Sequence, residues 1–221
     1  MNLSNWRTYL VTQASLSGDR TTPEIVRAAI DGGVDAVQLR EKETSARSRY
    51  ELGLELRELT AEAGVDLIVN DRVDIARAID ADGVHVGQSD LPVAVARELL
   101  GSDAIIGCST STVAEAREAE AEGADYLGVG AVYETSSKDV DEGTDGIGPE
   151  RIAAIADAVS IPIVGIGGIT ADNARPIVEA GAAGVAVISA ITAAPDPAAA
   201  TESLATAVET PKALDVGGEG Q

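Results

Sequence analysis

The sequence predicts an α/β protein built as a single (β/α)8 (TIM) barrel, and three observations carry that prediction. Short apolar segments rich in β-branched residues recur eight times along the chain. Most are continuous runs rather than alternating ones, the pattern of parallel strands covered on both faces. Helix-like stretches with capping signals separate them, and eight such units in 221 residues suit a closed barrel better than a doubly wound open sheet. No linker or shift in composition divides the chain. Residues 1–209 are therefore expected to form one barrel, and residues 210–221, with Gly217, Gly218 and Gly220, a mobile tail.

Taken in order, the first strand is Thr8-Tyr9-Leu10-Val11-Thr12, and Thr22 before Pro23 marks an N-cap with a proline at the first helical position. The second strand is Ala36-Val37-Gln38-Leu39-Arg40, followed by Leu52, Leu56, Leu59 and Ala63 at helical spacing. Leu67-Ile68-Val69-Asn70 and Gly83-Val84-His85-Val86 are the third and fourth strands. Ala104-Ile105-Ile106-Gly107-Cys108 is the fifth, and Thr112 with Glu115 forms a capping box after it. Tyr126-Leu127-Gly128-Val129-Gly130, Pro162-Ile163-Val164-Gly165-Ile166 and Val185-Ala186-Val187-Ile188 complete the set, with Asp196-Pro197 opening a last helix. Around Gly32-Gly33, Gly123 and Gly181, helices are expected to end on glycine and turn back into a strand.

Charge is the compositional outlier: 37 acidic against 16 basic residues, a net charge of −21, and lysine only at Lys42, Lys138 and Lys212. Nucleic acid and acidic membranes are repelled by such a surface, so neither is expected as a partner. An acidic coat of this kind suits high salt, where screening tames self-repulsion, and points to a halophilic source. The longest apolar run, at 161–169, is far shorter than the ~18 residues of a membrane span, and Met1 to Leu10 lacks a signal-peptide pattern. The expectation is a soluble cytoplasmic protein; a homo-oligomer is compatible with the sequence. Cys108, the one cysteine, excludes disulfides and Cys-based metal clusters.

In a barrel of this kind the active site lies where strands end and βα loops begin. After the second strand come Gln38, Leu39, Arg40, Glu41 and Lys42, and alternation puts Gln38, Arg40 and, if the strand persists, Lys42 on one side, an anion or heterocycle site. Asp71 after the third strand and Asp90 after the fourth are two carboxylates with oxygen-rich neighbours, suited to a hard ion such as Mg2+; either alone could instead cap a helix. Ser109 is expected to face the barrel mouth. The long connection 131–148 carries Thr135, Ser136, Ser137 and Lys138 and reads as a phosphate-gripping lid. Gly167-Gly168-Ile169 and Ile188-Ser189 run into helices at the position where barrels commonly hold a phosphate monoester. His85, inside the fourth strand, is read as a packed or supporting residue rather than a general base, and Cys108 as no nucleophile. Two anion sites and a divalent ion at one end, without a proton-abstracting dyad, indicate departure of pyrophosphate with transfer of its organic group.

These segments, in this order, make the chain resemble the thiamine phosphate synthase family from Tyr9-Leu10-Val11-Thr12 to Ile188-Ser189-Ala190-Ile191. The resemblance implies a Mg2+-dependent transferase of thiamine biosynthesis. It would join 4-amino-2-methyl-5-(diphosphooxymethyl)pyrimidine to a 4-methyl-5-(2-phosphoethyl)thiazole, or its carboxylated form, giving thiamine phosphate and pyrophosphate through a pyrimidine-methyl cation. It also implies that residues Gln38 to Lys42 with Asn70 bind the pyrimidine diphosphate, that Asp71 and Asp90 hold Mg2+, and that Ser109 and Lys138 complete the pyrophosphate grip. Arg40, Lys42, Ser109 and Lys138 would be the catalytic set. Thr135, Ser136 and Ser137 would face the thiazole, and Gly168, Ile188 and Ser189 its phosphate. Two positions depart from the family pattern: Ser137 stands where a second threonine is usual, and Gln13 follows Thr12 where many members have Asp. A thiazole tautomerase, a catalytically silent phosphate-binding barrel, and a sugar-phosphate isomerase or aldolase using Lys42 are the rival readings.

Overall fold

The computed structural model describes residues 3–135 and 146–209, the side chain of Ser4 excepted. Eight parallel strands follow one another around a closed barrel: β1 (Thr8–Val11), β2 (Ala36–Leu39), β3 (Asp66–Asn70), β4 (Gly83–Val86), β5 (Ile105–Thr110), β6 (Tyr126–Val129), β7 (Ile163–Ile166) and β8 (Gly184–Val187). The ring is shut by β1 against β8, with Thr8 opposite Val185 and Leu10 opposite Val187. The helices between and after the strands are α1 (Thr22–Asp31), α2 (Ala46–Ala63), α3 (Val73–Ala78), α4 (Val93–Leu100), α5 (Val113–Ala121), α6 (Gly148–Ala156), α7 (Arg175–Glu179), α8 (Ser189–Thr192) and α9 (Pro197–Val208). The proposed tail, 210–221, lies outside the described residues.

Alternation along each strand sorts the core into two layers. Leu10, Val37, Leu39, Leu67, Val69, Ile106, Leu127 and Val185 point outward to the helices. Trp6, Tyr9, Val11, Ala36, Ile68, Ile105, Tyr126, Val164, Ala186 and Ile188 pack in the barrel interior. Both faces of every strand are thus covered, which is why the strands read as continuous apolar runs.

The helix signals are met with small shifts. Thr112 and Glu115 form the capping box of α5, and Asp196 caps α9 through Ala199 N–H at 3.1 Å. The cap of α1 is Thr21 rather than Thr22, paired in a capping box with Glu24. Thr22 is diverted because its hydroxyl is buried and donates to the Glu41 carboxylate at 3.2 Å. In α2, Leu56 and Leu59 are buried, whereas Ala63 in the last turn is exposed. β2 stops at Leu39, one residue short of the expected end, and β5 runs on to Thr110, so Ser109 belongs to the strand itself.

A repeated clasp holds the opposite, N-terminal end of the barrel. Asp35, Asp82 and Asp125 each stand just before an even-numbered strand. Their backbone N–H groups donate to the carbonyls of Thr8, Leu67 and Ile106 at 3.0, 3.0 and 2.8 Å. Their carboxylates accept the N–H groups of those same three residues at 2.9, 2.8 and 2.7 Å. Arg57 pairs with Asp82 and Arg97 with Asp125, supporting two of the carboxylates. Ala183 holds the fourth equivalent place, donating to Ile163 O at 2.8 Å with no carboxylate to return the bond. Asp125→Ala strips the buried Ile106 N–H of its side-chain acceptor and is expected to lower unfolding free energy by about 1–3 kcal/mol, measured by denaturant titration in high salt.

Candidate active site

Several of the residues singled out at the strand ends, among them Gln38, Arg40, Asn70 and Ser109, meet at the C-terminal mouth of the barrel. From β2, Gln38 turns inward, is 5% exposed and donates its amide N–H to the Tyr9 hydroxyl at 3.0 Å. Arg40 is also buried; its backbone N–H bonds Thr12 Oγ1 at 3.0 Å and its guanidinium donates to Gln13 Oε1 at 3.0 Å. Gln13, where an acid would be usual, therefore touches the arginine, not the aspartate pair. Leu39 packs outward in the helix layer, so its side chain does not enter the mouth.

Glu41 is likewise turned away. Its carboxylate is buried and accepts Ala14 N–H at 3.0 Å as well as the Thr22 hydroxyl, tying the end of β2 to the loop after β1. Lys42 lies exposed on the turn that follows. The buried Arg49 guanidinium holds that turn from below, with Nε donating to Glu41 O at 3.2 Å. A charged pair of side chains thus fixes the backbone from which Arg40 and Lys42 project.

Asp71 and Asp90 face each other across the loops after β3 and β4. Burial raises the pKa of Asp71 first; the charge of Asp90 and a hydrogen bond between the two carboxyls raise it further, while Lys42 and Arg40 pull it partly back. These four groups therefore share one electrostatic neighbourhood. Neither aspartate caps a helix: the N-caps of α3 and α4 are Arg72 and Pro92. Asp71 instead sits in the left-handed region at φ 62°, its N–H bonded to His85 O at 2.8 Å. Asp is one of the few side chains that tolerates that conformation, and Asp80 adopts it too, at φ 54°. Asp90 Oδ2 accepts Gly87 N–H at 2.7 Å, which closes its own turn.

Ser109 Oγ lies 2.8 Å from His85 Nε2, and its carbonyl accepts the Gln88 amide at 2.7 Å. His85 is thus a supporting group behind Ser109. Burial pushes the Cys108 thiol up to about 11, so it stays protonated and inert.

Two hollows open at this end. The first is lined by Tyr9, Gln38, Arg40, Asn70, Ser109 and Tyr126 among others. The second gathers Thr135, Gly168, Ile188 and Ser189. Ile166, Ala186 and Ile188 line both, so the hollows adjoin through a shared apolar wall. Gly167-Gly168 does not run directly into a helix, since α7 starts only at Arg175. The intervening loop is closed by Asn173, whose amide donates to Gly168 O at 3.0 Å and whose oxygen accepts Thr170 N–H at 2.8 Å. Gly168, at φ 63°, leaves room for the chain's own backbone: a Cβ there would lie 2.6 Å from Glu134 O. That close approach brings Thr135 to the second hollow. Ser136, Ser137 and Lys138 lie outside the described residues.

Sequence reasoning missed the supporting set: Tyr9 and Tyr126 beneath the first hollow, Gln13 on Arg40, and Arg49 under the β2 turn. A signal for the tyrosines was present. The chain has no Phe, four Tyr and one Trp, and Tyr9 and Tyr126 both fall at inward-facing strand positions.

The sequence profile of the family described as thiamine monophosphate synthase matches residues 8–191. A thiamine-phosphate synthase of Haloarcula marismortui is 65% identical over 93% of this chain and 98% of its own length. One of Natronomonas pharaonis is 66% identical over 91% and 94%. Among solved structures, a thiamine phosphate pyrophosphorylase from Pyrococcus furiosus superposes with a TM-score of 0.84 at 43% identity, covering 94% of this chain and 98% of that one. With the strand-end residues gathered as described, these matches make the chain a member of the thiamine monophosphate synthase family.

Proposed function

We propose that the chain condenses 4-amino-2-methyl-5-(diphosphooxymethyl)pyrimidine with 4-methyl-5-(2-phosphoethyl)thiazole, releasing pyrophosphate, or with its carboxylated form, releasing pyrophosphate and carbon dioxide, with Mg2+ held by Asp71 and Asp90. The observation that carries the reading is the pair of adjoining hollows, one lined by Gln38, Arg40, Asn70 and Ser109, with Arg40 in electrostatic reach of Asp71, the other by Gly168, Thr135 and Ser189. Family membership supplies the substrates.

The donor set fits Mg2+. Asp71 and Asp90 are hard oxygen ligands close enough to repel each other, and no group of three or more His, Cys, Asp or Glu occurs among the described residues. A site with two carboxylates suits an ion that keeps waters and takes its remaining ligands from substrate phosphate. When bound, Mg2+ supplies positive charge to the diphosphate as it leaves.

The chain's own groups do the rest. Arg40, Lys42 and Lys138 stabilise charge developing on the departing pyrophosphate, a contribution worth most in a site shielded from water. Gln38, Asn70 and the buried rings below hold the pyrimidine. Thr135, Ser136, Ser137, Gly168, Ile188 and Ser189 hold the thiazole phosphate next to the pyrimidine, the two hollows adjoining along Ile166, Ala186 and Ile188. The carbon–oxygen bond to pyrophosphate breaks and the carbon–nitrogen bond forms, with no proton abstraction required. Gln13 orients Arg40 without neutralising it, leaving the full guanidinium charge for the diphosphate.

We place the enzyme in the cytoplasm of a halophile. No helix among the described residues is long and apolar enough to cross a membrane, the substrates are charged phosphates, and the relatives from Haloarcula marismortui and Natronomonas pharaonis come from halophiles. Raising KCl is expected to raise the melting temperature; a flat or falling curve counts against the salt adaptation.

The deciding assay mixes both substrates with Mg2+ in high KCl and measures thiamine phosphate and pyrophosphate. Wild type is expected to turn over and to stop with EDTA, while Asp71→Ala and Lys138→Ala lose at least about a hundredfold, roughly 2.7 kcal/mol of barrier. Absence of product from the folded protein overturns the reading. A second measurement separates stability from function. Because the Asp71 pKa is raised on folding, the folded chain keeps that proton to higher pH than the unfolded one. Stability of the metal-free protein therefore falls as pH rises through the carboxylate range. Asp71→Asn is expected to flatten that decline and raise the metal-free melting temperature at neutral pH while abolishing turnover.

A further inference from the structure

A line of hydrogen bonds crosses the barrel interior beneath the first hollow. Gln38 Nε2 donates to the Tyr9 hydroxyl at 3.0 Å, the Tyr9 and Tyr126 hydroxyls are 3.1 Å apart, Tyr126 Oη is 2.9 Å from His85 Nδ1, and His85 Nε2 is 2.8 Å from Ser109 Oγ. The line visits five strands, β2, β1, β6, β4 and β5, and both of its ends lie at the hollow. The chain has made room for it. A Cβ on Gly107 would stand 2.2 Å from Tyr126 Cζ, and one on Gly128 would stand 2.8 Å from His85 Cε1. Burial pushes both phenols well above the usual tyrosine range, so both keep their protons.

Counting protons along the line gives it a direction. An amide nitrogen can only donate, so Gln38 gives its hydrogen to Tyr9. The Tyr9 oxygen could accept twice, but the reverse order would leave the buried Tyr9 proton without an acceptor. The order that uses every proton sends the Tyr9 proton to Tyr126 oxygen and the Tyr126 proton to His85 Nδ1. His85 Nδ1 is thus an acceptor, which puts the ring hydrogen on Nε2, where it is donated to Ser109 Oγ. Ser109, already receiving, has its own proton left to give.

We propose that this line is a one-way donor relay that locks His85 as the Nε2–H tautomer and makes the Ser109 hydroxyl a donor to an acceptor atom of the bound pyrimidine diphosphate. Ser109 is the residue that touches substrate; His85, Tyr126 and Tyr9 are positioning residues. The opposite polarity would leave Nε2 bare and draw the serine proton onto it, the arrangement of a serine nucleophile, for which the condensation has no use. The identity of the acceptor rests on the function proposed above; the direction of the relay does not.

His85 is the only histidine, so the full-length protein labelled with 15N-histidine gives one pair of ring nitrogens, and long-range proton–nitrogen spectra at a single pH report the tautomer without turnover. A neutral ring with hydrogen on Nε2 is expected; hydrogen on Nδ1 overturns the proposal. Tyr126→Phe keeps the ring and removes the donor. It is expected to abolish the tautomer preference and lower kcat about tenfold, the scale of one hydrogen bond, with KM for the thiazole phosphate unchanged. Unaltered tautomer and kcat in that variant overturn the proposal. Tyr9→Phe, one step further back, repeats the test if Tyr126→Phe does not fold. A protein with the expected tautomer but no thiamine phosphate synthesis would refute the functional reading and leave the relay standing.

Discussion

Closing eight parallel strands on themselves creates an interior that side chains from every strand must fill, and everything at the active end follows from how that space is filled. Here the lower part is taken by Trp6, Tyr9 and Tyr126, three rings with centroids 5.1–6.2 Å apart in tilted or edge-on contact. Rings of that size fit because Gly107 lies opposite Tyr126 and Gly128 lies against His85. Above them the strands offer Gln38, Arg40, Asn70 and Ser109. The floor is apolar with a few polar points, and the rim is charged. A flat heterocycle with a polyanionic tail is complementary to that gradient from bottom to top.

The rim reconciles a net charge of −21 with a role in gripping phosphates. A strongly acidic surface repels anions at a distance, so cations must be concentrated where the anion is to sit. The chain spends one of its three lysines on the β2 turn and buries Arg40 beside it. It then holds that turn with groups which never face the mouth: Glu41 against Ala14 and Thr22, Arg49 against Glu41 O. Fixing the backbone first means that little main-chain freedom remains to be lost when the diphosphate arrives.

Most of the architecture was legible in the sequence because parallel strands announce themselves as unbroken apolar runs, and because Thr112, Asp196 and their partners cap helices by local rules. The strand ends were legible too, because Gln38, Arg40, Asp71, Asp90, Gly168 and Ser189 all stand at or just after the ends of those runs. Side-chain direction was harder to read. Thr22 has the right residue type and the right proline after it, yet a distant carboxylate claims its hydroxyl. Glu41 and Leu39 sit within a segment of the right kind, and each turns away for reasons set by tertiary neighbours. The Tyr9–Tyr126–His85 line joins residues far apart in sequence that meet only once the barrel is shut, so no window of residues could reveal it.

The clasps at the far end divide the ring unevenly. Each aspartate rivets an odd strand to the even strand after it, giving four two-stranded leaves of which three are riveted at the root. The leaf made of β7 and β8 has Ala183 where the rivet would be, and its upper tips carry Gly168, Ile188 and Ser189. Compliance is therefore not spread evenly around the circumference. The quarter without a carboxylate rivet is the one that lines the second hollow, while Arg40, Asp71 and Asp90 stand at the upper ends of riveted quarters.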